Sequence, residues 1–207
     1  MNMLIVGKSG SGKTYFLKNL IRKTVKKDDI AVWISSLPQD IDFSDTITIN
    51  RTDISYEKLL GAYEHLGVVY GMLTNDEIQE QMDKLALCLW NLSSRIPASK
   101  HIYLIIDEAY DYYNKIKHSK QLERLIRAGR KNGISIIMAT QQIIDLDLTF
   151  LKQCSYLVVF ALSESNDLNK VSKNLGIEEE TLRSLKVVDH EYIIKNLRTS
   201  EILIGHE

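Results

Sequence analysis

The sequence has little cysteine, no long apolar run and almost no net charge. Only Cys88 and Cys154 occur among 207 residues, far apart and each in an apolar setting. That is too few for a disulfide framework and the wrong spacing for a metal-binding pair, so two buried thiols in a reducing compartment are expected. No stretch approaches the roughly 18 consecutive apolar residues of a membrane-spanning helix, so no membrane insertion is expected. The opening MNMLIVGKSGSGKT lacks the basic-then-apolar layout of a secretory leader. It enters a strand at once, so no barrel or anchor is expected ahead of the core. The formal charge of −1 excludes a polycation, and any nucleic-acid contact must come from a local patch. There is no internal repeat, low-complexity tract or linker, so residues 1–207 are expected to form one domain.

What is present is 44% hydrophobic residues, enough for a sizeable core. Apolar runs predict strands at 3–6, 30–35, 102–106, 134–140 and 156–162, with a short one possible at 46–49. Helical spacing predicts helices at 15–27, 56–73, 76–95, 120–128, 166–174 and 178–185. Residues 192–196 and 201–204, split by a short turn, read as a terminal hairpin. Nearly continuous apolar strands interleaved with helices imply an α/β fold, a mostly parallel sheet covered on both faces.

The chemistry begins at Gly7-Lys8-Ser9-Gly10-Ser11-Gly12-Lys13-Thr14, which fits GxxxxGK[ST] at every fixed position. It follows a strand and opens a helix, the context this phosphate loop requires. Its glycines let backbone N–H groups converge on phosphate oxygens, and the helix N-terminus adds partial positive charge. Lys13 is the expected ligand of the β- and γ-phosphates of ATP, and Thr14 of Mg²⁺.

The second site element is HIYLIIDE, a strand ending in Asp107 and Glu108. Asp107 is the expected second Mg²⁺ residue, through water. Glu108 has the chemistry of a general base for the attacking water. P-loop kinases and small GTPases generally lack that glutamate, so the pair points to the additional-strand, catalytic-glutamate class of motor ATPases. In that class a further strand lies between the phosphate-loop strand and the Asp-Glu strand, and residues 134–140 are the candidate. Gln141, with Thr140 as second choice, would then sit beside the γ-phosphate at that strand's carboxyl end. Arg130 lies before the strand, at the opposite end of the sheet. There it can reach a neighbouring subunit's nucleotide as a finger in trans, with Arg127 as the alternative.

The stretches LIIDEA, GRKNGISIIMATQQ and DLDLTFLKQCSYLVVFALSESNDLNKV, together with the phosphate loop, resemble the FtsK–HerA superfamily of DNA-pumping ATPases. In plan the chain is similar to the small genome-packaging ATPases of icosahedral viruses with an internal membrane. The resemblance implies a RecA-like P-loop NTPase fold and a homo-oligomeric ring, often a hexamer. It further implies double-stranded DNA as the translocated substrate, capsid or vertex proteins as partners, and a place in the host cytoplasm or on the virion. Where the family often carries Gln-Arg-Pro after the additional strand, this chain has Gln141-Gln142-Ile143.

Residues 115–131 hold Lys115, Lys117, Lys120, Arg124, Arg127, Arg130 and Lys131 against Glu123 alone, a local charge of +6 (seven cations less one anion). Lys115, Lys117 and Lys120 are the candidates for following DNA phosphates without reading sequence. Tyr110, Tyr112 and Tyr113 beside them are available for stacking or for packing under the loop. Two other readings fit the same motifs: a conjugation, secretion or phage-assembly ATPase, and a nucleotide-dependent P-loop switch with little turnover.

Overall fold

The computed structural model describes residues 1–26, 29–35, 46–50, 65–69, 75–114, 119–141, 143, 146 and 148–206. The strands are β1 (Met3–Val6), β2 (Ile30–Ser35), β3 (Thr46–Asn50), β4 (His65–Val69), β5 (Ile102–Ile106), β6 (Ile134–Thr140), β7 (Tyr156–Phe160), β8 (Glu191–Asn196) and β9 (Ile202–His206). They form one nine-stranded sheet in the order β3-β4-β2-β5-β6-β1-β7-β8-β9. Every pairing from β3 to β7 is parallel, and β8 and β9 continue the sheet as an antiparallel hairpin. The expected α/β class, with its mostly parallel sheet and C-terminal hairpin, is borne out.

The helices are α1 (Lys13–Thr24), α2 (Asn75–Ser93), α3 (Lys120–Ala128), α4 (Leu148–Gln153), α5 (Ser165–Leu175) and α6 (Glu179–Ser184). Strand side chains alternate between two apolar clusters, because successive Cβ atoms point to opposite faces. Leu4, Val6, Leu104, Ile106, Ile136 and Met138 pack with α2, α3, α5 and α6 on one face. Met3, Ile5, Ile105, Ile137 and Ala139 pack with Phe16, Leu17 and Ile21 of α1 on the other. A strand buried on both sides reads as a continuous apolar run, which is why β1, β5 and β6 were legible as MLIV, IYLII and ISIIMAT.

One expectation fails. The helix predicted at 56–73 is contradicted at residues 65–69, which form β4 and pair in parallel with both β2 and β3; its remaining residues lie outside the described ones. Leu, Ala and Glu in that region favour a helix, but sheet hydrogen bonding on both sides overrides a weak local preference. The sheet therefore has two more parallel strands than the five long apolar runs suggest. Helix α4, six residues long, is a further element that the apolar spacing does not mark.

The β5–α3–β6 crossover sets the polarity that matters for the site. Ser119 caps α3, its hydroxyl accepting from Leu122 N at 3.0 Å. Asp83 of α2 ties down the same end, bonding the Ser119 hydroxyl and accepting from Gln121 N at 2.8 Å. Helix α3 then runs against the strand direction and ends in a short 3₁₀ turn, Gly129–Asn132. Gly133, at φ 72°, turns the chain up into β6. Residues at the start and end of β6 are thus on opposite rims, about 20 Å apart at strand rise.

Candidate active site

Four chain segments converge at the carboxyl rim of the parallel strands. The first is the loop leaving β1. Gly7 N donates to Thr140 O at 3.3 Å and Lys8 N to Ala161 O at 2.9 Å, so the loop starts suspended between β6 and β7. Gly7 has no room for a side chain: a Cβ there would lie 2.5 Å from Phe160 Cβ. Gly10 and Gly12 have φ of 73° and 103°, conformations that only glycine adopts without strain. Lys13, the first residue of α1, curls back and donates from Nζ to Lys8 O at 2.9 Å. Burial pushes its ammonium pKa down, against the opposing pull of Glu108 and then Asp107.

The second segment is the end of β5. Asp107 is buried, and its Oδ2 accepts from the Thr14 hydroxyl at 3.1 Å. Its Oδ1 accepts from Glu108 N at 3.0 Å. Glu108 itself sits at φ 50°, ψ 51°, a left-handed conformation that costs a non-glycine residue on the order of 1–3 kcal/mol. Strain of that kind, at a strand tip beside a lysine and a second carboxylate, aims the side chain instead of letting the strand continue.

The third segment is the end of β6, which lies between β5 and β1 as the additional-strand arrangement requires. Gln141 Nε2 donates to Glu108 Oε1 at 2.8 Å. Thr140, the second choice, is fully buried and gives its carbonyl to Gly7 N, so the exposed Gln141 is the residue that meets the acid.

Sequence reasoning missed the fourth segment, the turn at 187–190 leading into β8. Because β8 is antiparallel to β7, its first residue returns to the same rim. Phe16, Phe160 and Tyr192 hold it there, with ring centroids 4.9 to 5.8 Å apart. His190 consequently packs on the phosphate loop, its Nδ1 3.1 Å from where a Cβ on Gly12 would be. No local motif marks this residue; only the fold brings it to Gly12.

The site has the makings of a magnesium–triphosphate cradle. A hydroxyl (Thr14) and a carboxylate (Asp107) from different elements meet, the donor set a hard divalent cation takes. The Ser11 hydroxyl is buried inside the loop with no hydrogen-bond partner among the described residues. Lys13 spends its ammonium on the loop's own carbonyl, a contact a phosphate can replace.

The remaining expected residues lie apart from this cluster. Arg130 is exposed on the 3₁₀ turn at the opposite rim and has no ion-pair partner among the described residues. Arg127 is held on its own helix, 2.6 Å from Glu123. Lys115 and Lys117 lie outside the described residues; Lys120 is exposed at the first position of α3. Arg124 stacks over Trp90 at 4.5 Å. Tyr112 and Tyr113 are buried in the core and not available for stacking on a ligand.

The model of the poxvirus A32 protein family matches residues 1–204, from before β1 into β9. The chain belongs to that family. Protein P9 of Pseudoalteromonas phage PM2 is 24% identical over 190 residues, covering 92% of this chain and 82% of P9. The genome-packaging NTPase B204 of Sulfolobus turreted icosahedral virus 2, solved with ATP-gammaS, superposes with a TM-score of 0.77 at 22% identity. That match covers 100% of this chain and 96% of B204. The bacterial conjugative coupling protein TrwB superposes with a TM-score of 0.75 at 10% identity, covering 99% of this chain and 84% of the TrwB chain. The resemblance to the FtsK–HerA ATPases, and within them to the small viral genome-packaging enzymes, is borne out, as is the P-loop NTPase fold. Among the described residues no helix is long and apolar enough to cross a membrane.

Proposed function

We propose that this protein is a single-domain ATPase that moves double-stranded DNA, packaging a viral genome. The observation that carries the reading is the contact of Gln141 with Glu108 beside the Thr14–Asp107 pair. A phosphate loop alone suits kinases, switches and motors alike. A glutamate aimed by strain and held by a residue from the inserted strand suits hydrolysis.

In this reading the N–H groups of residues 7–14 and Lys13 Nζ bind the β- and γ-phosphates of ATP. Thr14 and Asp107 hold Mg²⁺, which when bound neutralises phosphate charge. Gln141 occupies Oε1 of Glu108 and leaves Oε2 to take a proton from water attacking the γ-phosphate. Gln141 also couples chemistry to motion: its amide carries two N–H donors, and while one holds Glu108 the other can meet the γ-phosphate once nucleotide enters. Its strand is continuous with the 3₁₀ turn that carries Arg130 at the other rim, where Arg130 serves the next subunit of a ring. Lys115, Lys117 and Lys120 contact the DNA backbone. Capsid or vertex proteins are the partners in the virion or the host cytoplasm.

Similarity to TrwB favours a second reading, a conjugation or secretion motor built on the same core. One assay separates the readings: ATP turnover with and without double-stranded DNA across a salt series. The packaging reading requires stimulation by duplex DNA that falls steeply with salt. Turnover indifferent to DNA but raised by a protein substrate favours secretion. A chain that binds ATP and barely turns over, with or without DNA, would be a switch.

A further inference from the structure

Among the described residues His190 is the one at this rim whose strain and unmet hydrogen bonding the proposed hydrolytic chemistry leaves unexplained. It has φ 48°, uncommon for a residue with a side chain though less so for histidine than for most. Its Nδ1 is buried and has no hydrogen-bond partner among the described residues. A Cβ on Gly12 would lie 3.1 Å from that nitrogen and 3.2 Å from the ring carbon beside it, so the ring packs tightly over the phosphate loop. A ligand atom at the mouth of the site that supplies the missing partner satisfies the buried nitrogen, and that gain offsets the cost of holding the backbone left-handed.

Strand order says which part of the ligand that is. Asp107, Glu108 and Gln141 lie on β5 and β6, to one side of β1; His190 enters from β8, beyond β7 on the other side. A triphosphate with its terminal phosphate toward Glu108 must extend its nucleoside end toward β7 and β8. On that side Val188, two residues before His190, is 90% exposed, apolar surface beside a polar atom, the combination that lines small-molecule sites.

We propose that His190 is a nucleoside-binding residue, its Nδ1 hydrogen-bonding the ribose of the bound nucleotide while the 187–190 turn closes that side of the site. This rests on the nucleotide reading of residues 7–14. Either tautomer of the ring suits a ribose hydroxyl, which donates and accepts.

The test separates nucleoside from phosphate. Affinities of the full chain for ATPγS and for inorganic tripolyphosphate are measured with wild type, His190→Ala and His190→Asn. Asparagine tolerates the left-handed backbone and puts an amide atom near the position of Nδ1. His190→Ala should bind ATPγS about tenfold more weakly, the loss of one hydrogen bond, with tripolyphosphate unchanged. His190→Asn should restore most of the difference. Equal weakening for both ligands makes His190 a mere prop of the phosphate loop and overturns the proposal, as does an unchanged affinity for ATPγS. A second measurement needs no variant: the His190 ring nitrogen resonance in the wild-type chain should shift with ATPγS and not with tripolyphosphate. Shifts with both, or with neither, overturn the proposal even if His190→Ala does not fold. Failure of the parent reading looks different: neither ligand binds wild type in a way that Lys13→Ala abolishes.

Discussion

The two rims of β6 are built on opposite principles. At the carboxyl rim the polar side chains are directed at one another. Gln141 holds Glu108, Thr14 meets Asp107, and Lys13 closes on its own loop. At the amino rim the exposed cation Arg130 has no ion-pair partner among the described residues. The Met1 amine nearby has its pKa lowered by burial, then by Arg130 and Arg198, so positive charge there is crowded instead of neutralised. Beside it, Asp29, His101 and Ser135 form a polar knot that fastens β2, β5 and β6. In the proposed reading the carboxyl rim therefore holds binding and water activation within one chain. The amino rim combines a structural fastening with a cation that pairs with no acid among the described residues. An exposed arginine with no partner on the described rim suits delivery to a second subunit, where the missing anion is another site's phosphate.

The sharpest way to break that contrast is Arg130→Ala. A trans finger is worth about 10³–10⁵ in turnover, so the variant should bind ATP normally and hydrolyse it at that much lower a rate. Mixed with Glu108→Gln chains, it should recover part of the lost activity, since some interfaces then pair an intact acid with an intact arginine. Recovery should appear only at concentrations where light scattering detects assembly. Mixtures that assemble yet stay inactive would remove the trans role from Arg130. Arg127 would then be tested in the same format, at the added cost of its Glu123 pair.

At the carboxyl rim the effects should be confined to one chain. Glu108→Gln should keep ATP affinity and lose about 10²–10⁴ in turnover, as loss of a general base does. Gln141→Ala leaves the base but frees its orientation, and a misplacement of about 1 Å costs roughly 10²-fold. Neither defect should be relieved by a partner that carries the same lesion. Near-wild-type turnover of Glu108→Gln would reassign the strained carboxylate to a structural role.

The two rims also differ in how far the sequence announced them. Residues 7–14 and Asp107-Glu108 were legible because their chemistry is local: glycines at fixed spacing, and acids at the end of an apolar run. Gln141 was legible once β6 was taken as the inserted strand. His190 was not, because its partner Gly12 lies far away in sequence and a turn such as VVDH carries no signature. Strand β4 was misread for a related reason. Its conformation is set by pairing with β2 and β3, which no window of its own sequence contains. The polar knot at the amino rim was missed too, since Asp29, His101 and Ser135 meet only across three strands.

That knot predicts stability effects with no change in chemistry. Asp29 is buried, and its two oxygens accept from Lys26 N at 3.0 Å and His101 N at 2.9 Å. Asp29→Ala leaves both N–H groups without their acceptor, at a cost of about 1–3 kcal/mol. Denaturant unfolding should register that loss, while turnover per folded molecule stays at the wild-type value. A change in turnover comparable to Gln141→Ala would mean that the two rims are coupled and the contrast is false.

The smallest expected effect is on pH dependence, and its sign follows from His101. Its Nε2 lies 2.8 Å from the Ser135 hydroxyl, and the ring stacks beside Tyr103. Burial, then the nearby N-terminal amine, hold its pKa below the ordinary value of 6.5, against the opposing pull of Asp29. The folded chain therefore binds fewer protons at this ring than the unfolded chain does, and stability rises with pH wherever that difference exists. As pH falls through 6.5 the unfolded ring charges first and stability declines. The decline levels off below the depressed folded value, where both states are protonated. His101→Gln keeps a polar side chain beside Ser135 without the titration. Unfolding free energies of wild type and His101→Gln, measured from pH 8 down to pH 5, should therefore diverge in slope below 6.5, with the variant flatter. Parallel curves would show that the ring is solvated and titrates equally in both states, and the knot would then be held by Asp29 alone.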